Sequence, residues 1–131
     1  MKGKSVKKIL LVDDDADLRD AIKTVLEKKY EVKEAGGRDD AGRALDKFTP
    51  NLIILDVMMD TTSTGFELAR EFKNDARLSG TKILMLTSVD SVTNIDFKSE
   101  AGNADWLPVD DYLTKPIEPK VLLEKVNNLL T

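Results

Sequence analysis

The chain of 131 residues contains no cysteine and no histidine. Without cysteine there is no disulfide, no thiolate nucleophile and no thiolate metal site. Without histidine, the commonest acid–base side chain and the commonest transition-metal ligand are missing too. Chemistry is left to carboxylates, hydroxyls, lysine, arginine and the backbone, a set that favours a hard cation such as Mg2+ or Ca2+. Apolar runs are short, and none approaches a membrane span, so no membrane role is expected. An excess of basic charge is lacking as well. The net charge is -4, which argues against direct binding of nucleic acid, because phosphate recognition needs a basic face. The Lys-rich start, Met1 to Lys8, has no signal-peptide cleavage site and passes straight into a strand-like run. A cytoplasmic protein with a flexible tail over about residues 1–6 is expected.

What is present reads as one soluble domain over 1–131, with no linker, repeat, low-complexity tail or output domain. Lys7 to Val12 and Leu52 to Leu55 are short apolar runs between turn signals, as is Lys82 to Leu86. Such runs fit strands buried on both faces of a parallel sheet. Tyr30 to Ala35 alternates weakly and carries charge, as an edge strand does. Asp111 to Leu113 makes a short fifth strand. Between the strands lie helical patterns. Asp15 can cap a helix bearing Leu18, Ile22, Val25 and Leu26 on one face. Asp39 to Phe48 is a second helix, and Gly65 to about Ala76 a third with Phe66, Ala69 and Phe72 on one face. Pro119 opens a last helix, with Ile117, Val121, Leu122, Val126, Leu129 and Leu130 as its stripe. Five strand–helix alternations imply right-handed crossovers on both sides of the sheet. The expected fold is α/β, a flavodoxin-like doubly wound five-stranded sheet of order 2-1-3-4-5. Val89 to Pro108 keeps no clean helical period, so the fourth helix should be short or irregular.

The strand exits carry the chemistry. The first strand ends in Asp13-Asp14-Asp15, the third in Asp56, the fourth in Thr87-Ser88, and the fifth runs into Thr114-Lys115-Pro116. In the 2-1-3-4-5 order strands 1, 3, 4 and 5 are contiguous. Their carboxyl ends therefore gather three carboxylates, a hydroxyl and an ammonium near the switch point, where ligands bind in such sheets. Close carboxylates repel unless a cation joins them, and Mg2+ suits one or two carboxylates with a backbone carbonyl. Asp56 is then available as a nucleophile for phosphoryl transfer, with Lys115 and Thr87 to meet phosphoryl oxygens. Each residue alone has a plainer reading: an N-cap acid, a surface lysine, a threonine after a strand. Tyr112 is as well explained as a half-buried edge-strand aromatic, and Trp106 as a packing anchor. Joint occurrence at four strand ends is what favours a site.

Over essentially its full length the chain resembles a response-regulator receiver domain of the chemotaxis-regulator type. The motifs are Ile9-Leu10-Leu11-Val12-Asp13-Asp14-Asp15, Ile53-Ile54-Leu55-Asp56-Val57-Met58-Met59, Leu86-Thr87-Ser88 and Tyr112-Leu113-Thr114-Lys115-Pro116, in that order. The resemblance implies that Asp56 is the phosphoacceptor and that Asp14 ligates Mg2+ directly. It implies that Asp13 holds the metal mainly through water, and that Met58 contributes its backbone carbonyl. Thr87 would be the switch hydroxyl, Lys115 the site lysine and Tyr112 an aromatic rotamer switch, with a cis Lys115–Pro116 bond. A sensor histidine kinase or phosphotransfer protein would supply the phosphoryl group to this stand-alone regulator. An unidentified downstream protein would read it, and the strand 4–strand 5–last helix face could also join two copies. On this reading the chain catalyses only its own phosphorylation and dephosphorylation.

Two stretches depart from the family pattern. Asp60 to Gly65 lacks the usual proline after Met59, is one residue longer, and adds a carboxylate at Asp60. The span from Thr87 to Lys115 is several residues longer than usual. An aspartate-nucleophile hydrolase is the competing enzyme reading, but it needs a second acid where Met58 stands. A degenerate receiver acting as a constitutive binding module is the third.

Overall fold

Three uninterrupted apolar strands set the architecture, because each buries both of its faces. The structure, a computed structural model, describes residues 7–56, 62–87 and 109–130, apart from the side chains of 62–67. The strands are β1 (Lys8–Val12), β2 (Glu31–Ala35), β3 (Leu52–Asp56), β4 (Lys82–Thr87) and β5 (Asp111–Thr114). All pair in parallel, in the order β2-β1-β3-β4-β5. Among the described residues the helices are α1 (Ala16–Leu26), α2 (Arg38–Leu45), α3 (Thr62–Asn74) and α4 (Pro119–Leu130). The sequence expectations for the N-terminal tail, for Met58 and Asp60, and for the irregular helix and Trp106 within 88–108 lie outside the described residues.

Period-two alternation divides the core in two. Leu10, Val12, Ile53, Leu55, Ile83 and Met85 face α2 and α3, meeting Ala41, Leu45, Leu68, Ala69 and Phe72. Ile9, Leu11, Leu52, Ile54, Leu84 and Leu86 face the other way, toward Ile22 and Leu26 of α1 and Leu122 and Val126 of α4. Asp15 caps α1 by accepting hydrogen bonds from the backbone N–H groups of Asp17 and Leu18, as its sequence position implies. At the opposite end of the sheet, the Thr81 hydroxyl donates to the Pro50 carbonyl at 2.7 Å and fixes the entry into β4.

Three sequence expectations are corrected. Helix α3 begins at Thr62, three residues before the predicted Gly65. Hydroxyl residues compete for backbone hydrogen bonds and read as loop, yet a first helical turn tolerates them because its N–H groups lack intrahelical partners anyway. Helix α2 runs over Arg38–Leu45 and stops short of Phe48, whose ring is only partly buried. Val121, assigned to the buried stripe, is 37% exposed. Adjacent helical residues point about 100° apart, and Leu122 occupies the core-facing position.

The two-sided burial of β3 is tested by Ile54→Ala, a cavity-forming change at a fully buried site. It should lower the free energy of urea unfolding by about 2–5 kcal/mol. Val121→Ala on α4 should stay within about 0.5 kcal/mol. A small effect at Ile54 would contradict the packing described.

Candidate functional site: an acidic pocket at the strand ends

Register brings the exit residues level. Val12 pairs with Leu55 across β1 and β3, so the next residues, Asp13 and Asp56, stand side by side. Asp56 pairs with Leu86, one residue before Thr87, and Thr87 pairs with Thr114, one residue before Lys115. Adjacent strands lie about 4.8 Å apart, so five predicted site residues converge: Asp13, Asp14, Asp56, Thr87 and Lys115. Tyr112 does not join them. It lies on β5 beside Met85, two residues short of Thr114, with its ring half-buried and Lys125 Nζ 5.8 Å from the ring centroid.

Asp13 and Asp56 are buried, at 0% and 2% exposure, whereas Asp14 faces solvent. Carboxylate oxygens of the three lie within 4.8 Å of one another. Lys115 Nζ donates to Asp56 Oδ2 at 2.8 Å, and the Lys115 backbone N–H donates to the Thr87 carbonyl at 2.7 Å. The Lys115–Pro116 peptide is cis, as the resemblance implies. Thr87 is fully buried.

Asp13 is held from several sides. Its N–H donates to the Ala35 carbonyl at 3.0 Å, and its Oδ1 accepts from the Asp15 N–H at 2.9 Å. Its carbonyl accepts from Arg19 Nη1 at 2.6 Å. Arg19 was not singled out from the sequence, since a lone arginine on an amphipathic helix carries no signal of its target. Asp13 Oδ2 is buried and has no donor. Burial, followed by the charge of Asp56 and contact with it, pushes the Asp13 carboxyl from 3.8 to about 7, against the opposing pull of the Asp15 N–H and Lys115. An orphaned buried carboxylate oxygen beside two further carboxylates fits a hard divalent cation, which needs oxygen donors and supplies the missing positive charge.

The sign of the pH effect follows. Below about pH 4 folded and unfolded chains both hold the Asp13 proton. Between there and about pH 7 only the folded chain keeps it, so stability falls as pH rises through that window. In EDTA at pH 7.5, Asp13→Asn should therefore raise the unfolding free energy by about 1–3 kcal/mol. The gain should shrink as the pH approaches 4. Equal stability of the two proteins at pH 7.5 in urea titrations would show that the carboxylate is compensated as it stands.

Comparison with known proteins agrees with this geometry. The family model described as response regulator receiver domain matches residues 9–127. The phosphate regulon transcriptional regulatory protein PhoB of Pseudomonas aeruginosa is 38% identical over 125 residues, covering 95% of this chain and 52% of that protein. The transcriptional regulatory protein GltR of the same organism is 34% identical, covering 95% and 49%. The chain thus spans about half the length of these relatives. Among solved structures, the chemotaxis response regulator CheY4 of Vibrio cholerae superposes with a TM-score of 0.80 at 30% identity, covering 96% of this chain and all of that one. A CheY-like receiver domain protein from Methanospirillum hungatei gives 0.79 at 32% identity, covering 96% and 94%. Receiver domains bind Mg2+ at an acidic pocket of this kind and are phosphorylated by histidine kinases or phosphotransfer proteins. With its full strand order, its converging acids and a family match over most of its length, the chain belongs to the response regulator receiver domain family.

Proposed function

We propose that this receiver domain is a phosphorylation switch in which Asp56 accepts a phosphoryl group in a Mg2+-dependent transfer. The observation that carries the reading is Lys115 Nζ at 2.8 Å from Asp56 Oδ2, where carboxylate oxygens of Asp13, Asp14 and Asp56 lie within 4.8 Å of one another. Asp56 is the nucleophile. One of its carboxylate oxygens forms the new O–P bond as the N–P bond of a partner's phosphohistidine breaks. The donor histidine lies outside this sequence, which has none. Asp13, Asp14 and Asp56 would hold Mg2+, together with the Met58 carbonyl that the family resemblance implies; when bound, the ion would neutralise phosphoryl oxygens during transfer. Lys115 exchanges the carboxylate for a phosphoryl oxygen, and the Thr87 hydroxyl donates to another. Burial of Asp13, Asp56 and Thr87 excludes water from one side of the reacting group, which strengthens these interactions.

The added charge of about -1.5 to -2 alters the ends of β4 and β5, and the readout is protein binding on the β4–β5–α4 face. Tyr112 serves there as the aromatic that changes rotamer. As a stand-alone regulator the domain hands its signal to a separate protein or to a second copy; joined to an output domain, it would act on that domain through the same face. It turns over no separate substrate. The hydrolase reading lacks its second acid, because Met58 occupies that position.

Incubation with acetyl phosphate and Mg2+ should add one phosphoryl group to the protein, read by intact mass. Asp56→Asn or EDTA should abolish the addition. An unlabelled parent protein, under conditions that label another receiver, would sink the switch. Steady turnover of a separate phosphate ester would favour the hydrolase instead.

A further inference from the structure

The Asp13 carbonyl is bound by a side chain of α1. Arg19, on the second turn of α1, donates through Nη1 to that carbonyl at 2.6 Å. Through Nε it meets Glu34 Oε1 of β2 at 3.3 Å. Lys23, one turn further along α1, meets the other Glu34 oxygen at 3.4 Å. The arginine therefore bridges α1, the exit of β1 and the edge strand β2. It does not act on the pocket mainly as a charge: the cation that draws down the Asp13 carboxyl is Lys115.

We propose that Arg19, held by Glu34, is a positioning residue for the acidic pocket: it fixes the peptide joining Asp13 and Asp14 and so sets how the two carboxylates meet a cation. The inference rests on the reading of the pocket as a Mg2+ site. The peptide has few ways to swing while its carbonyl is bound. The Asp13 N–H is engaged by Ala35, and Asp13 Oδ1 by Asp15. With all three points held, Oδ2 is left as the oxygen presented to the pocket, and Asp14 follows one residue later with its carboxylate in solvent. Releasing the carbonyl frees rotation about both sides of that peptide, which costs alignment of both acids at once. A planar guanidinium can serve the carbonyl and Glu34 together; an ammonium offers one point charge and cannot keep both in the same geometry. Groups that orient metal ligands from behind commonly contribute about 10–100-fold in metal affinity.

The test compares the parent protein with Arg19→Ala, Arg19→Lys and Glu34→Gln by calorimetric titration with Mg2+. It also follows the backbone 15N resonance of Asp14 in metal-free protein. Arg19→Ala should weaken Mg2+ binding about 10-fold or more, and it should displace the Asp14 resonance before any metal is added. Arg19→Lys should recover part of the affinity, and Glu34→Gln should move both readouts the same way by less. Labelling by acetyl phosphate should return toward the parent rate at saturating Mg2+, because Arg19 touches neither the phosphoryl group nor Asp56. Unchanged Mg2+ affinity in Arg19→Ala, with only a loss of urea stability, would reduce the arginine to a structural brace and overturn the proposal. If Arg19→Ala does not fold, parent-like affinity in both Arg19→Lys and Glu34→Gln overturns it equally. A parent protein that binds no Mg2+ overturns the cation reading itself, a result distinct from a parent and variant that bind alike.

Discussion

Two carboxylates buried side by side repel each other, and the rest of the site answers that repulsion. Asp13 and Asp56 approach within 4.8 Å. At an effective dielectric near 20 that is a penalty of about 3 kcal/mol, before the cost of removing either from water. Asp14 adds a third charge at the rim. Lys115 returns one positive charge at 2.8 Å from Asp56. A divalent cation would add the positive charge that such a cluster of oxygen donors favours. On the proposed function, that charge would also meet the negative charge of an incoming phosphoryl group. The Asp13 carboxyl is shifted upward first by its burial, which also leaves one of its oxygens without a donor, and then by the charge of Asp56.

Such a pocket persists only on a scaffold that cannot relax away from it. The carboxylates sit one residue beyond the last apolar pairs of β1 and β3, and those strands are sealed on both sides. Moving Asp13 away from Asp56 would mean sliding one strand past the other, which turns every buried side chain to the wrong face. Hydrophobic burial of roughly 1.5–3 kcal/mol for each large core side chain therefore holds the acids against their own repulsion. The pocket is unstable locally because the sheet is stable globally, and this is why its residues lie at strand ends rather than on a loop that could drift.

The strands are legible because full burial leaves an unbroken apolar run, and the run Leu52 to Leu55 marks all of β3 but its last residue, Asp56. The site was legible for the same reason: an acid directly after such a run has nowhere else to be but the sheet's carboxyl edge. What the sequence hid were interactions across elements. Arg19 reaching the Asp13 carbonyl leaves no periodic trace. Neither does Asp110, whose Oδ2 accepts both the Ile83 N–H and Lys73 Nζ, each at 2.8 Å, and so ties α3 to the start of β4 and β5. The start of α3 was hidden because Thr62-Ser63-Thr64 is equally good as loop and as a first turn. Val121 reads as core because it is apolar and adjoins Leu122, but Leu123, Leu129 and Leu130 flank the buried stripe while Val121 lies on its exposed side.

Signalling from the pocket needs a physical connection, and a short one exists. Asp56 Oδ2 binds Lys115 Nζ, and the backbone N–H of that same lysine binds the Thr87 carbonyl. On the proposed function, a displacement of Lys115 when its partner changes from carboxylate to phosphoryl oxygen would therefore pull on the ends of β4 and β5 together. Further down β5, Asp111 is paired with Lys125 of α4 at 3.1 Å, and the same ammonium lies over the Tyr112 ring. The half-buried ring thus borders both the core and a charged pair on the surface, and a cation–π contact at such a site contributes about 0.5–1 kcal/mol. Coupling through packed side chains needs an element with two arrangements of similar energy. On the proposed function, a half-buried aromatic at the edge of the core suits that role better than any residue of the sealed strands, whose displacement would cost the core.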